Sequence, residues 1–203
     1  MRLGIPILAL SLALAVSGGA SADTVISNLT NTTFGVDTGS HDASAQSFIA
    51  QKTEMLDSIT LKLLNGNSGG EITVSLYSDI NNSPNQDLQT LGTLTQASST
   101  SVYSDYTINA SAPLELVAGT QYWVVGSWKT DPKIWAYTSD YQDYQGSAML
   151  GPYGQLDSGS WTVYPVADGP YQFAVNASVP EPGAALLAVM GLSGVAGFVL
   201  RRR

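Results

Sequence analysis

The chain has 203 residues, no cysteine and a formal net charge of −8. All four arginines lie at its two ends, so residues 23–177, here called the body, hold four lysines against fifteen acids, a net charge of −11. Such a body is repelled by the phosphate backbones that clustered Lys and Arg bind, which excludes nucleic acid as a partner, and without thiols it forms neither disulfides nor cysteine-based metal sites.

The N-terminus has the pattern of a secretory signal peptide. Met1 and Arg2 precede an apolar run, residues 3–16, and small residues follow, with Ala20 and Ala22 at the positions of a cleavage site. A basic start, an apolar stretch and a small-x-small site are the three parts of such a signal. We therefore predict export and cleavage after Ala22, which makes residues 1–22 a removable segment.

The body begins with two clear alternating segments. In residues 56–63 the alternation places Ile59, Leu61 and Leu63 on one face. In residues 71–77 it places Ile72, Val74 and Leu76 on one face. An alternation with a period of two predicts half-buried β-strands. The Gly- and Asn-rich stretch between them, residues 65–70, predicts a turn that joins the two strands in a hairpin.

Further short segments, rich in Thr, Val and Tyr, recur between clusters of turn residues up to residue 177. They predict strands at residues 47–50, 88–94, 103–109, 114–117, 121–128, 134–137, 147–150, 161–163 and 171–177. No stretch of the body shows a sustained helical period. The expected fold is therefore all-β, an antiparallel β-sandwich of immunoglobulin-like or jelly-roll type spanning residues 23–177.

One stretch of the body offers several oxygen ligands close together. Residues 79–87 include Asp79, Asn81 and Asp87, and oxygen is the ligand that Ca²⁺ prefers. The stretch lacks the spacing and the terminal Glu of an EF-hand. Asn, Asp and Pro are also the residues that turns require. We therefore expect a plain turn and no cofactor or metal here, the alternative being a calcium site at these three residues.

Aromatic residues crowd into the second half of the body. All four tryptophans and seven of the ten tyrosines lie between Tyr122 and Tyr171. Residues 121–128 carry a tryptophan on each face of the predicted strand, more aromatic surface than one side of a core needs. Ring faces beside carboxylates and amides suit sugars. The candidate carbohydrate-binding residues are Trp128, Trp135, Tyr137, Tyr141, Asp143 and Tyr144, the alternative being that these rings fill the core.

Catalytic residues are hard to find. No G-x-S-x-G motif is present, and His41 is the single histidine, in a loop typical of solvated side chains. Asp140 and Asp143 could form the carboxylate pair of a glycan hydrolase, but fifteen acids supply such pairs by chance. We therefore expect no enzymatic activity and no catalytic residues. A hydrolase acting on glycans and a calcium-stabilised adhesin are the alternative functions.

The C-terminus combines three features in order: Pro180-Glu181-Pro182, an apolar run over residues 183–200, and Arg201-Arg202-Arg203. The run would span about 27 Å as a helix, close to the roughly 30 Å hydrocarbon core of a bilayer. The arginines belong on the cytoplasmic side. The tail therefore predicts a transmembrane helix that holds the exported body at the inner membrane.

These three features together resemble the PEP-CTERM sorting signal of Gram-negative bacteria, over residues 178–203. The resemblance implies processing by an exosortase, a membrane protease-transpeptidase that removes the helix. It also implies a host that makes exopolysaccharide. The chain is then expected at the cell surface or in the biofilm matrix after processing, and in the inner membrane only transiently before it.

The body also resembles the choice-of-anchor R type of bacterial surface domain. The similarity lies in residues 45–48, 56–61, 74–79 and 116–125. It implies an extracellular domain of unassigned activity, and no site residues follow from it. Taken together, the sequence predicts a structural or adhesive surface protein, with exopolysaccharide as its candidate partner.

Overall fold

The residues that the structure describes are almost entirely β-strand. The computed structural model describes residues 22–37, 41–64, 70–95, 102–128 and 135–178. The strands in chain order are β1 Ala22–Ser27, β2 Gly35–Val36, β3 Ala43–Ile49, β4 Glu54–Leu64, β5 Glu71–Ile80, β6 Ser83–Thr95, β7 Tyr103–Asn109, β8 Glu115–Leu116, β9 Gln121–Trp128, β10 Ala136–Tyr137, β11 Gln145–Gly146, β12 Met149–Asp157, β13 Ser160–Tyr164 and β14 Phe173–Ser178. Within these ranges the only helical element is a 3-10 turn, Val166–Asp168. The predicted all-β class is confirmed.

The strands form two large sheets and one small one, and every pair of neighbours is antiparallel. The first sheet has the order β11-β1-β14-β4-β7, with β8 also paired to β4. The second sheet has the order β13-β12-β3-β9-β5-β6. The small sheet pairs β10 with β2. Neighbours in each sheet are mostly far apart in sequence, so the chain crosses repeatedly from one sheet to the other.

The two large sheets share one hydrophobic core. The first sheet contributes Ile59 and Leu61 from β4, and the second contributes Val74 and Leu76 from β5, all with no exposed surface. The alternation in both sequence segments therefore identified the inward faces correctly. Each fully buried aliphatic side chain contributes about 1.5–3 kcal/mol of transfer free energy, which makes this interface the main source of stability.

The predicted hairpin between residues 56–63 and 71–77 is wrong. β4 pairs with β7, β8 and β14 in the first sheet, whereas β5 pairs with β6 and β9 in the second. The segment between β4 and β5 thus joins two sheets. Alternation identifies the buried face of a strand, but two strands that face each other across a core show the same pattern as two that pair side by side.

A second, smaller core lies on the other face of β9. Trp123 and Val125 are buried there with Ala43 and Ala45, and Trp161 of β13 packs against them. The two edges of the second sheet, β13 and β6, come into contact, so this sheet is curved. Both faces of β9 are therefore covered, and the ring of Trp123 has no exposed surface.

The first and last strands of the described chain lie side by side. Ala22 of β1 is opposite Ser178 of β14, and β14 lies between β1 and β4. The predicted signal peptide, apart from Ala22, and the predicted transmembrane run with its flanking Pro180, Glu181, Pro182 and arginines fall outside the described residues. In the ranges that are described, no helix is long and apolar enough to cross a bilayer.

Candidate ligand-binding cleft

A polar cleft lies between β12 of the second sheet and the small sheet. It encloses about 310 Å³, at the lower end of the range for small-molecule sites. Its walls come from four separate parts of the chain. The lining residues are Val36, Asp37, Tyr137, Tyr153, Gln155, Asp168, Gly169 and Tyr171.

Tyr137 forms one wall of the cleft, and its position depends on two glycines. A Cβ on Gly35 would lie 2.9 Å from the Tyr137 hydroxyl oxygen, and one on Gly169 would lie 3.2 Å from the ring. Gly169 also has a φ of 117°, which other residues rarely adopt. On its outer side the ring packs against Phe34, with ring centroids 5.8 Å apart. Phe34 is 69% exposed and extends this aromatic wall into solvent.

Tyr153 and Tyr171 form the opposite wall and the floor. Tyr153 stacks on Tyr164 at 5.1 Å and meets the buried ring of Tyr171 edge-on at 5.5 Å. Tyr171 in turn stacks on Trp135 at 4.8 Å. The cleft therefore opens over a continuous layer of rings, in which the innermost members belong to the core and Tyr153 is only half-buried.

The Asp37 carboxylate joins the cleft to the core. It is nearly buried, with its side chain 8% exposed. Its Oδ2 accepts hydrogen bonds from the Tyr171 hydroxyl at 2.6 Å, Ser44 Oγ at 3.0 Å and Gln155 Nε2 at 3.2 Å. Three donors compensate for the cost of burying a carboxylate. Asp37 thus fixes the positions of the polar groups at the floor of the cleft.

The surroundings of the cleft raise the pKa of two tyrosine hydroxyls. Burial, followed by the charge and hydrogen bond of Asp37, raises the pKa of Tyr171 far above its ordinary value of 10.0. Burial is also the main cause that raises the pKa of Tyr153, and the next cause is the negative charge of Asp168. Both hydroxyls therefore stay protonated at neutral pH and can donate hydrogen bonds.

The raised pKa of Tyr171 predicts alkaline sensitivity. Below pH 10 the hydroxyl is protonated in both the folded and the unfolded chain, so its contribution is constant. Above pH 10 the unfolded chain loses this proton first, and the free energy of unfolding falls by up to about 1.4 kcal/mol per pH unit for this group. We expect Tyr171→Phe to have a lower Tm at pH 7, since Asp37 loses a donor, but a shallower decline of Tm between pH 10 and 11.

The measurement is a circular dichroism melt at several pH values, with Tyr103→Phe as the control. Tyr103 lies in β7 and is 40% exposed, so this variant should follow the parent chain. A decline for Tyr171→Phe that runs parallel to that of the parent would show that Tyr171 does not cause the sensitivity.

His41 is not a solvated loop residue. Its Nδ1 lies 2.8 Å from Asp157 Oδ1, and its Nε2 lies 3.8 Å from Asp37 Oδ1. The hydroxyl of Ser44, the serine that contacts Asp37, donates to this carboxylate and not to the imidazole. This geometry is not that of a Ser-His-Asp triad, in which the histidine accepts the serine proton.

Of the six predicted carbohydrate-binding residues, only Tyr137 lines the cleft. The inclusion of Trp135 was wrong: it has no exposed surface, and its Nε1 donates to the carbonyl oxygen of Gln172 at 2.8 Å. Trp128 and Tyr144 are half-buried and pack against the main core. Tyr141 and Asp143 lie in the loop between β10 and β11, outside the cleft.

The carboxylate pair of the hydrolase alternative serves the loop itself. Asp140 Oδ1 accepts hydrogen bonds from the backbone N–H groups of Gln142 and Asp143. The carbonyl oxygens of Asp140 and Asp143 both accept from Asn31 Nδ2. These are the contacts of an Asx turn and its anchor, so the structure gives Asp140 a local structural role.

The predicted calcium residues lie in a β-hairpin and not in an open loop. Asn81 and Asn82 form the turn between β5 and β6, with φ values of 51° and 63°. Asp79 Oδ1 accepts from Trp123 Nε1 at 2.8 Å, and Asp87 Oδ2 accepts from Thr90 Oγ1. The described residues contain no group of three or more His, Cys, Asp or Glu that could hold a metal ion.

The fold is similar to that of a bacterial surface protein. The structure matches the crystal structure of the cysteine protease and lectin-like domains of Cwp84, a surface layer associated protein of Clostridium difficile, with a TM-score of 0.54 and 18% identity. The match covers 78% of this chain and 36% of that chain, so this chain spans about a third of its length. At this identity the similarity concerns the fold alone. No curated protein matches the sequence.

The C-terminal segment matches a known sequence family. Residues 178–203 match the family model of the PEP-CTERM protein-sorting motif. The predicted PEP-CTERM sorting signal is thereby confirmed as a motif, and the matched range contains Pro180, Glu181, Pro182 and the three terminal arginines. The motif implies a protein that is exported, directed to the cell surface and processed by an exosortase.

Proposed function

We propose that this protein is a non-enzymatic surface or matrix protein that binds carbohydrate through the cleft between β12 and the small sheet. The observation that carries the proposal is the convergence of Tyr137, Tyr153 and Tyr171 with Asp37 and Asp168 in one open cleft. Tyrosine rings cover the apolar faces of sugars, and carboxylates and hydroxyls bind their hydroxyl groups. The sorting motif directs the body to the surface, where polysaccharide is the abundant polymer of such hosts.

Binding is favoured over catalysis by the chemistry of the lining. In the described part of the cleft, the Asp37 carboxylate accepts three hydrogen bonds, and no nucleophile lies beside a base. A glycan hydrolase needs one carboxyl group to act as an acid and a second as a base or nucleophile. Asp37 is engaged in holding the floor together.

The proposal also covers the type of sandwich and the processing of the two ends of the chain. We propose a jelly-roll sandwich, supported by the orders β1-β14-β4-β7 and β3-β9-β5-β6, which follow from two interleaved Greek keys. The body then corresponds to the choice-of-anchor R type of domain. Residues 1–22 are proposed as the signal peptide, and residues 183–200 as the transmembrane helix that exosortase removes.

The test is co-sedimentation of the full chain with exopolysaccharide from the organism that encodes it. The chain is kept in a detergent without a sugar headgroup, because such a headgroup would compete for the cleft. We expect saturable binding without release of reducing sugar, and the same binding in calcium and in chelator. Chain that stays in the supernatant at all polysaccharide concentrations would contradict the carbohydrate-binding proposal, and release of reducing sugar would contradict the non-enzymatic one.

A further inference from the structure

The cleft differs from a neutral sugar site in its charge. Two of its eight lining residues are acids, Asp37 and Asp168, and none of the eight is Lys or Arg. Asp168 belongs to the 3-10 turn Val166–Asp168 at the rim, and it is exposed. Among the residues that the structure describes, the basic group at the floor is the imidazole of His41, which also contacts the carboxylate of Asp157. A ligand in the cleft therefore meets negative charge at the floor and at the rim.

This charge discriminates between classes of sugar. A carboxylate on the ligand about 4 Å from Asp168 would weaken binding about fivefold even at the dielectric constant of water, and more where the cleft excludes water. The body around the cleft, with its net charge of −11, adds a long-range repulsion of the same sign. Neutral hydroxyls can instead donate to the carboxylates, and an amine gains an ionic partner.

The aromatic rings beside the cleft suit a ligand that is longer than the cleft. Phe34 continues the wall formed by Tyr137, and Tyr164 lies behind Tyr153 on the other side. Tyr164 thus supports Tyr153 from behind, whereas Phe34 lies largely in solvent. Successive apolar ring faces suit successive units of a sugar chain, one unit inside the cleft and its neighbours outside it.

We infer that the cleft binds a stretch of polysaccharide whose units carry no acidic groups, and that Asp168 excludes uronate-containing chains. This inference rests on the proposed carbohydrate-binding function and adds the class of the ligand. The inference predicts that the segments of the host exopolysaccharide bound by the protein are neutral or carry amines. Acidic segments of the same polymer are predicted to remain free.

The experiment uses one polysaccharide in three chemical forms. The exopolysaccharide that sediments the full chain is compared with a sample in which uronates are reduced to primary alcohols. It is also compared with a sample in which primary alcohols are oxidised to carboxylates. We expect reduction to leave or improve binding, and oxidation to weaken it about tenfold at low salt, with a smaller loss at 1 M salt, where the Debye length is about 3 Å.

Two variants test whether Asp168 causes the preference against acidic polysaccharide. Asp168→Asn removes the rim charge with almost no change of shape and should recover about three- to fivefold of the affinity for the oxidised form. Asp105→Asn, on exposed β7 of the first sheet, changes the net charge equally but lies outside the cleft lining, so it should recover almost nothing. Equal recovery in both variants would show that net charge and not Asp168 sets the preference.

The outcomes separate the inference from the proposed function. Tight binding of the oxidised form, or loss of binding after reduction, would overturn the inference while leaving carbohydrate binding intact. Failure of all three forms to sediment the chain would remove the proposed function, and the inference with it.

Discussion

Replacement of Trp135 by alanine is expected to lower the free energy of unfolding by about 3–5 kcal/mol, the range for large aromatic residues removed from a core. The ring has no exposed surface, stacks on Tyr171 at 4.8 Å and donates a hydrogen bond to the carbonyl oxygen of Gln172. The variant therefore loses buried area, leaves a cavity and removes one of the two hydrogen bonds to the Gln172 carbonyl oxygen, the other coming from the backbone N–H of Lys62. A urea titration followed by tryptophan fluorescence and circular dichroism measures the change.

Two further variants keep this prediction testable if Trp135→Ala does not fold. Trp135→Phe keeps a ring against Tyr171 but removes the donor, and should cost about 1–3 kcal/mol. Trp161→Ala removes a tryptophan that is only half-buried, and should cost less than Trp135→Ala. An unfolding midpoint for Trp135→Ala equal to that of the parent would mean that the ring lies at the surface, as the sequence interpretation had it.

The second large effect concerns ligand binding. We expect Tyr137→Ala combined with Tyr153→Ala to raise the Kd for polysaccharide by roughly 30- to 160-fold, because two ring contacts worth about 1–1.5 kcal/mol each are lost. Tyr137 and Tyr153 stand on opposite walls of the cleft, so a bound sugar chain contacts both. Binding isotherms from co-sedimentation give the Kd, and circular dichroism melts verify that the variant is folded.

The matched control is Tyr141→Ala combined with Tyr144→Ala. These two tyrosines were candidates on sequence grounds, and neither lines the cleft. Their loss should change the Kd by less than twofold. If this pair of substitutions abolished binding and the pair in the cleft did not, the carbohydrate-binding site would lie in the loop between β10 and β11. The assignment of the site to the cleft would then be wrong.

The sequence was most informative about strands and their buried faces. Residues 103–109 and 121–128 were predicted with the same bounds that the structure gives β7 and β9. The faces of β9 were also correct, since Tyr122 and Val124 belong to the main core and Trp123 and Val125 to the second one. Local alternation carries this information because side chains on a strand point to opposite sides in turn.

Strand pairing could not be predicted from the same pattern. β1 was missed altogether, because Ala22–Ser27 directly follows the signal-like segment and has only Val25 and Ile26 as buried apolar residues. β4 and β5 were placed in one hairpin although they belong to different sheets. Partners in these sheets are selected by the packing of the whole core, which no single segment contains.

For the candidate cleft, the sequence predicted the types of residue but not which residues come together. Aromatic crowding in the second half of the body includes three of the residues that line the candidate cleft, and one of them, Tyr137, was among the predicted residues. Asp37 and Tyr171, which meet at 2.6 Å, are 134 residues apart in the chain, and nothing local relates them. Tyr153 and Gln155 do alternate on one strand, a signal that could have marked a ligand-facing edge of β12.

The position of β14 has a mechanical consequence. β14 ends at Ser178, the first residue of the sorting segment, and it is hydrogen-bonded to β1 on one side and to β4 on the other. Wherever the processed protein is attached through its C-terminus, flow or cell movement pulls on the body along the axis of this strand. Ladder hydrogen bonds run across that axis, so both ladders are sheared at once, whereas an edge strand can be peeled away bond by bond. The attachment point is therefore at a place where the fold resists tension well.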